Sequence, residues 1–168
     1  SRGSGREIAD CIGRAVQVCK AVGFDLVLVE TSGIGQGNDA ITEVADVSLY
    51  VTTREYGAPS QLEKLAALDF DGVETAGVGG TSWARVESYR AASQSIQARV
   101  GQRLAGFGIP TADSVLACRK AFGDRLVVAS GGVRTGMDVA VALALGADVA
   151  AYARPLLVAA EKSVEAVV

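Results

Sequence analysis

The chain has no histidine among its 168 residues. This absence excludes Ser-His and Cys-His catalytic pairs and histidine-ligated metals, and it removes the side chain that most often serves as a general base near neutral pH. Aromatic residues make up 5% of the sequence, and there are three prolines and one methionine. Any chemistry must therefore come from carboxylates, lysine, tyrosine or a bound cofactor.

Cysteine is also scarce. The three cysteines are Cys11, Cys19 and Cys118, an odd number without a Cys-x-x-Cys motif, and the first two lie on one predicted helix. We therefore expect buried free thiols rather than a disulfide or a metal site.

Long apolar runs and clusters of positive charge are missing as well. No run approaches the ~20 residues of a membrane span, and nothing at the start resembles a signal peptide. The net charge is −3, and the 16 basic residues are scattered along the chain. We expect a soluble, cytoplasmic protein that has neither nucleic acid nor a membrane as its partner.

What the sequence does contain is 49% hydrophobic residues, in short strand-like runs that alternate with stretches of helical period. This alternation is typical of a parallel sheet covered by helices. The predicted strands are residues 25–30, 48–53, 72–76, 125–130 and 148–153. The predicted helices are residues 6–22, 60–68, 83–104 with a break near Ala92, 111–122 with Thr111 in an N-cap arrangement, 136–145 and 155–168.

Five strands are too few for an eight-stranded barrel. The pattern favours a single α/β domain over residues 1–168, with an open, mostly parallel five-stranded sheet and helices on both faces. This is the three-layer sandwich of Rossmann-like and flavodoxin-like folds, in which ligands bind beyond the carboxyl ends of the strands. The pattern leaves the strand order open, and an unpaired sheet edge would let two copies form a homodimer.

The first half carries a motif of nucleotide hydrolases. Glu30 follows the first predicted strand, and Gly33 lies three positions on, where an NTPase reaches Mg²⁺ and senses a γ-phosphate. With Asp46-Val-Ser-Leu-Tyr-Val-Thr-Thr53 and Gln61-Leu-Glu-Lys-Leu65, the stretch over about residues 1–70 resembles the G domain of the methylmalonyl-CoA and isobutyryl-CoA mutase-associated GTPase chaperones. The resemblance implies a metal-proximal switch at Glu30 and Gly33.

The nucleotide-binding motifs of those chaperones are nevertheless missing. The chain has no GxxxxGK[ST] phosphate loop, and no Asn-Lys-x-Asp guanine motif follows Leu68-Asp-Phe70. Because nucleotide affinity depends mostly on the phosphate loop, GTP hydrolysis is not expected. A dinucleotide fingerprint counted from Gly33 fails at Asn38, and the alternative is that the glycines here form only a flexible loop.

In the second half, two glycine-rich turns follow predicted strands: Gly77-Val-Gly-Gly-Thr81 and Gly131-Gly-Val-Arg134. Adjacent glycines let backbone N–H groups approach an anion, and the helix that begins near Gly136 directs its positive end the same way. Arg134, and Arg154 at the end of the next strand, would add positive charge. Gly131, Gly132, Arg134 and Arg154 therefore predict a phosphate site; the alternative is that these glycines only shape tight turns.

These turns, with Phe107-Gly-Ile-Pro-Thr-Ala-Asp-Ser114, Ala142-Leu-Ala-Leu-Gly-Ala147 and Ala153-Arg-Pro155, resemble the carboxyl-terminal part of type 2 isopentenyl diphosphate isomerase, an FMN-dependent (βα)8 barrel, from about Asp71 onward. The resemblance implies FMN as the cofactor. The implied FMN contacts are Thr81, Gly132, Val133, Arg134, Ala153 and Arg154. The family's amino-terminal strands have no counterpart before Asp71, so isomerase activity, catalytic residues and a bound metal are not expected.

The change of family near residue 70, inside one predicted sheet, favours an engineered or recombined chimeric scaffold. Such a scaffold would have no evolved catalytic activity and would not be an enzyme. Two alternatives stay open: weak FMN or phosphate binding through the second half, and a fragment of a GTPase chaperone that acts by protein contacts.

Overall fold

The computed structural model describes residues 11–31 and 42–166. The helices are α1 (Ile12–Val22), α2 (Pro59–Ala66), α3 (Trp83–Arg90), α4 (Ile96–Arg103), α5 (Thr111–Phe122), α6 (Gly136–Ala144) and α7 (Arg154–Ala160). The strands are β1 (Leu49–Val51), β2 (Gly72–Ala76), β3 (Leu126–Ser130) and β4 (Val149–Ala150). The predicted helical residues 6–10 and 167–168, and the glycine loop around Gly33, lie outside the described residues.

The four strands form one parallel sheet in the order in which they occur in the chain, and Val73 lies opposite both Tyr50 and Val127. The predicted α/β class with a parallel sheet is therefore confirmed. Because crossovers between parallel strands are right-handed, a sheet whose order never reverses carries its connecting helices on one face. A Rossmann-like sandwich needs a reversal of strand order, and the described strands contain none, so that finer prediction is not confirmed.

The predicted count of five strands is not confirmed either, because residues 25–30 form no strand. Leu26 and Leu28 in this segment are 73% and 85% exposed. The apolar run has the composition of a buried strand, but a strand exists only where a neighbouring backbone pairs with it. The amino-acid composition shows that a segment is apolar enough for a buried strand, but it does not show whether a neighbouring backbone is there to pair with it.

The helical predictions hold more closely. The stretch predicted as one long helix with a break divides into α3 and α4 around Gln94, whose φ of 63° is incompatible with a continuous helix. Thr111, in contrast, does not act as an N-cap: α5 begins at Thr111, Pro110 occupies the cap position, and no side chain caps the helix there. Within the described ranges, no helix has the length and apolar character needed to cross a membrane.

The best-buried part of the sheet lies in its two central strands. Val73 and Thr75 of β2, and Val127 and Ala129 of β3, are all completely buried. Helix α5 packs against these two strands. The opposite face of the pleat is less covered, since the strand residues with the largest exposed apolar area are Leu49, Val51 and Val149.

Cys118 of α5 belongs to this core, and burial raises the pKa of its thiol to about 11. Such a thiol is chemically inert at neutral pH. Cys11 is exposed and Cys19 is partly exposed, so the expectation of buried thiols is correct for Cys118 alone.

The chain divides into two compact units. In the first, which contains α1, residues 42–48 and residues 68–71, Lys20 Nζ lies 3.0 Å from a carboxylate oxygen of Asp46. In the same unit, Asp71 accepts hydrogen bonds from the backbone N–H and the hydroxyl of Ser48 at 2.7 and 2.6 Å. The second unit contains all four strands and α2 to α7. The single domain and the homodimer stay predictions.

Arg119 of α5 connects the segments that precede β3 and β4. Its Nε donates to the carbonyl oxygen of Gly146 at 2.6 Å, and its Nη1 donates to that of Arg125 at 2.9 Å. Its Nη2 lies 2.5 Å from Oδ2 of Asp148, and the same oxygen accepts the Val127 N–H at 2.8 Å. One guanidinium therefore holds the amino ends of two neighbouring strands.

We predict that Arg119→Met lowers the free energy of unfolding by about 2 kcal/mol, because methionine keeps an apolar stem but leaves the carbonyl and carboxylate acceptors without their donor. Chemical denaturation measures this loss. Arg90→Met is the matched control: its ion pair with Glu87 is exposed on both sides and should contribute less than about 1 kcal/mol. Equal losses in the two variants would contradict the assignment.

The pKa of the Asp148 carboxyl is lowered, first by the hydrogen bond from the Val127 N–H and then by that from Arg119. A carboxyl whose pKa is lowered on folding stabilises the fold above its unfolded pKa and loses this contribution as the pH falls through the folded value. The stability difference between the parent and Asp148→Asn should be constant above about pH 5 and shrink progressively below about pH 4. Urea denaturation across this range tests it; a difference independent of pH would refute the role of ionised Asp148.

Candidate functional site

Two glycine-rich turns lie together at the carboxyl edge of the sheet. Gly77-Val-Gly-Gly80 follows β2, and Gly131-Gly132 follows β3. Because β2 and β3 are parallel neighbours, both turns leave the sheet at the same edge. Loops at this edge are the usual ligand-binding region of parallel sheets.

The turns touch through their backbones. Gly131 and Gly132 have φ angles of 105° and 90°, in the left-handed region that favours glycine. A Cβ atom on Gly131 would lie 2.5 Å from the nitrogen of Gly77, and one on Gly132 would lie 2.3 Å from the carbonyl oxygen of Gly79. Glycine is therefore required here by packing as well as by conformation, which the sequence pattern alone left undecided.

Thr111 lies beside this contact. Its hydroxyl donates to the carbonyl oxygen of Gly131 at 2.5 Å, and a Cβ atom on Gly77 would approach the same hydroxyl to 2.2 Å. Ile109, two residues earlier in the chain, bonds to the segments that follow β1 and β2. Its N–H donates to Arg54 O at 2.8 Å, and its carbonyl accepts the N–H of Val78 at 2.9 Å.

The structure brings together three of the residues predicted to contact a cofactor. Gly132 packs on Gly79, and the buried Val133 follows it directly. The exposed Arg134 side chain reaches back across the turns, where its Nη2 donates to the carbonyl oxygen of Gly79 at 3.2 Å. The guanidinium is thus held over the junction of the two glycine turns.

Thr81, Ala153 and Arg154 lie on neighbouring segments of the same edge. Thr81 is exposed and immediately precedes Ser82, the N-cap of α3, whose side chain accepts the N–H of Arg85. Ala153 is the N-cap residue of α7 and Arg154 its first residue, both exposed beyond the end of β4. Their role in binding a cofactor stays a prediction.

The amino terminus of α6 differs from the expectation that it offers a positive end to an anion. Asp138 Oδ2 accepts the backbone N–H groups of Arg134 and Thr135 at 3.0 and 2.9 Å, and the Thr135 side chain caps the N–H of Asp138. These hydrogen bonds, led by that from Arg134, lower the pKa of the Asp138 carboxyl. The helix already carries its own anion, so the donors left for a ligand are those of the glycine turn rather than of α6.

Arg54 is a residue that the sequence analysis missed. Arg54 follows β1 and is only 7% exposed, and its Nη2 donates to Ala105 O at 3.2 Å. Its Nε and Nη1 are buried without a hydrogen-bond partner among the described residues. The signal that could have identified it is a basic residue placed just beyond a predicted strand, at the same edge as the glycine turns.

A cavity of about 350 Å³ adjoins the glycine turns, and its polar lining includes Ser82, Arg85 and Arg134. Val78, Val86 and Tyr89 supply apolar surface, and the described residues that line the cavity include no acidic side chain. Positive charge with an apolar wall suits an anionic ligand that carries a hydrophobic body.

The switch implied by the first half is only partly described. Glu30 is exposed, and Gly33 lies outside the described residues. Among residues 11–31 and 42–166, no group of three or more cysteine, aspartate and glutamate side chains is arranged to hold a metal ion.

Comparison with known families divides the chain much as its motifs do. Residues 1–73 match the methylmalonyl-CoA mutase-associated GTPase MeaB, and residues 58–168 match the FMN-dependent dehydrogenases. The predicted resemblance to two families is therefore confirmed, and the two matches overlap over residues 58–73.

Individual relatives come from both groups. An isopentenyl-diphosphate delta-isomerase from Mycolicibacterium vanbaalenii is 42% identical over 96% of this chain and 40% of its own length, and one from a Synechococcus species is 38% identical over 92% and 38%. The fused isobutyryl-CoA mutase of Geobacillus kaustophilus is 59% identical over 42% of this chain and 6% of its own length. The chain thus spans about 40% of the length of the Mycolicibacterium isomerase, although 96% of the chain is matched.

These relatives overturn two interpretations made from the sequence. The chain is not well described as a recombined scaffold without evolved catalytic activity, and the prediction that it is not an enzyme is wrong, because relatives at 42% and 38% identity over nearly all of it are named as isomerases. The error came from giving less weight to the isomerase-like motifs after Asp71 than to the change of family near residue 70.

We predict that Gly131→Ala lowers the free energy of unfolding by at least about 2 kcal/mol, since the methyl group combines a strained φ with overlap on the Gly77 backbone. Gly136→Ala is the control, because a Cβ atom there meets nothing within 4 Å. That variant should change stability by no more than about 0.5 kcal/mol. Similar denaturation midpoints for the two variants would show that the turns do not pack as described.

Proposed function

Because the chain belongs, through residues 58–168, to the FMN-dependent dehydrogenase family, we propose that its second half binds the phosphate end of FMN and forms part of a flavin-dependent enzyme. The single observation that carries this proposal is the pair of interlocked glycine turns, with the Arg134 guanidinium held on Gly79 at 3.2 Å. The site lies wholly within the second compact unit.

The residues of the edge fit a phosphate group. Gly131 and Gly132 present backbone without side chains, so an oxyanion can approach the N–H groups of Gly132 and Val133 closely. Arg134 supplies a guanidinium whose geometry suits phosphate, and its bond to Gly79 limits the conformational freedom lost on binding. The Thr81 hydroxyl, Arg154 and the Ala153 backbone complete the proposed set.

Arg54 adds positive charge beneath the same edge. It lies beyond β1, on the edge that carries the glycine turns beyond β2 and β3. Its Nη2 donates to Ala105 O, and its Nε and Nη1 atoms are buried without a hydrogen-bond partner among the described residues, so they are closed to a ligand in this structure. Such a guanidinium is costly unless an anion lies close to it. We propose that Arg54 acts on the phosphate of FMN through its charge rather than through a direct hydrogen bond.

Bound FMN supplies electron, hydride or proton transfer at its ring system. The chain's own residues bind the phosphate, orient the cofactor and exclude water; without histidine, any proton that they hold must lie on a carboxylate, a lysine or a tyrosine. The isomerases that resemble this chain lead us to propose isomerisation of an isopentenyl diphosphate-type substrate as the reaction class. A small phosphate-bearing molecule is then the proposed partner.

We predict that the purified protein quenches FMN fluorescence saturably, and that it binds riboflavin, which lacks the phosphate, at least about tenfold more weakly, as expected for loss of charge-assisted hydrogen bonds. Arg154→Met should weaken FMN binding by about tenfold, whereas riboflavin binding should not change. Titration followed by flavin fluorescence measures both.

Arg90→Met is the matched control, because it removes the same charge from an exposed position on α3 whose guanidinium is engaged by Glu87. It should bind FMN as the parent does. Absence of saturable FMN binding up to about 1 mM, a limit worth only about 4 kcal/mol, would refute the proposal. Equal affinities for FMN and riboflavin would place the phosphate elsewhere.

A further inference from the structure

We propose that Thr111 is a positioning residue that fixes the orientation of the peptide between Gly131 and Gly132, and so aims the Gly132 N–H at an anionic ligand. The inference deepens the proposed function and rests on it for the identity of the ligand. It concerns a residue that the sequence analysis assigned only to the start of a helix.

The Thr111 hydroxyl does not cap its own helix, α5. A threonine at a helix start usually caps backbone N–H groups. Here no side chain caps α5, and the Thr111 hydroxyl donates instead to Gly131 O at 2.5 Å. The side chain therefore connects the start of α5 to the turn after β3.

The bond from Thr111 to the Gly131 carbonyl also sets the direction of the Gly132 N–H. The carbonyl of Gly131 and the N–H of Gly132 belong to one planar trans peptide, so they point in opposite directions. Holding the carbonyl against Thr111 directs the N–H away from Thr111. With φ angles of 105° and 90°, the two glycines lack the Cβ atoms that would restrict these torsions, so the hydrogen bond from Thr111 adds to the packing against Gly77 and Gly79 in fixing the peptide.

Within the described part of the chain, the other hydrogen bonds beside this peptide belong to the residue before it. Thr75 and Gly77 hold the preceding residue: Ser130 N–H donates to the Thr75 hydroxyl at 3.1 Å, and Ser130 O accepts the N–H of Gly77 at 3.2 Å. These contacts set the end of β3. The carbonyl one residue further on is held by Thr111.

The backbone at Thr111 is itself held in place by its neighbours. Two residues earlier, Ile109 bonds through its N–H to the segment after β1 and through its carbonyl to the segment after β2, at 2.8 and 2.9 Å. A Cβ atom on Gly77 would lie 2.4 Å from the Thr111 Cα, so the backbone there is tightly packed. The segments after β1 and β2 therefore hold the backbone near Thr111, and the Thr111 hydroxyl in turn holds the turn after β3.

The test compares Thr111→Val, which keeps the shape and removes the hydroxyl, with Thr111→Ser, which keeps the hydroxyl and removes the methyl group. We expect FMN affinity to fall about tenfold in Thr111→Val and to stay within about twofold of the parent in Thr111→Ser, one charge-assisted bond being the difference. Riboflavin affinity should be the same in all three proteins. Equal FMN affinity in Thr111→Val and the parent would overturn the inference.

A second measurement needs no ligand. Amide hydrogen exchange should be accelerated at Gly131 to Val133 in Thr111→Val and remain at the parent rate in Thr111→Ser, with the β2 amides unchanged in both. If the parent fails to bind FMN, the proposed function falls and the exchange rates alone decide the role of Thr111. Unaltered exchange in Thr111→Val would overturn the positioning role whether or not FMN binds.

Discussion

The backbone contact between the turns after β2 and β3 is the constraint on which the rest of the carboxyl edge depends. Atoms of Gly131 and Gly132 lie so close to Gly77 and Gly79 that no Cβ atom fits between them. This approach gives Arg134 a carbonyl to bind and gives Thr111 a carbonyl to hold. A side chain at either turn would separate the segments and remove both contacts.

The two edges of the sheet are specialised in different ways. At the amino edge, Asp148 accepts hydrogen bonds from the N–H of Val127 and the guanidinium of Arg119, and these bonds connect the ends of β3 and β4. At the carboxyl edge, where the proposed ligand would bind, the glycine turns lack side chains at their contact, and Arg54 is buried with two of its nitrogen atoms unpaired among the described residues. This division of stability and binding between opposite strand ends is general in parallel α/β folds.

The relation to flavin enzymes also explains how a chain without histidine can belong to an enzyme family. A flavin brings its own reactive ring, so the protein needs donors and charge in fixed positions rather than a proton-transferring imidazole. In the proposed function, the arginines and glycine N–H groups of the second unit would supply both. The strand order β1-β2-β3-β4, without reversal, is consistent with a segment of a singly wound sheet.

Local sequence determined the parts of this protein that local forces decide. Helix α5 occupies the predicted residues 111–122, and β2 the predicted residues 72–76, because side-chain periodicity and flanking breakers act over one element. The glycine turns and Arg134 were also identified from sequence, since glycine after a buried strand restricts what can follow. The tertiary structure alone decided the rest. Residues 25–30 have a strand's composition and form no strand, because pairing depends on a neighbour distant in the chain. The Thr111 hydroxyl bonds Gly131 rather than its own helix, and Arg54 is buried beneath Ala105, because each contact joins residues at least 20 positions apart that only the folded sheet brings together.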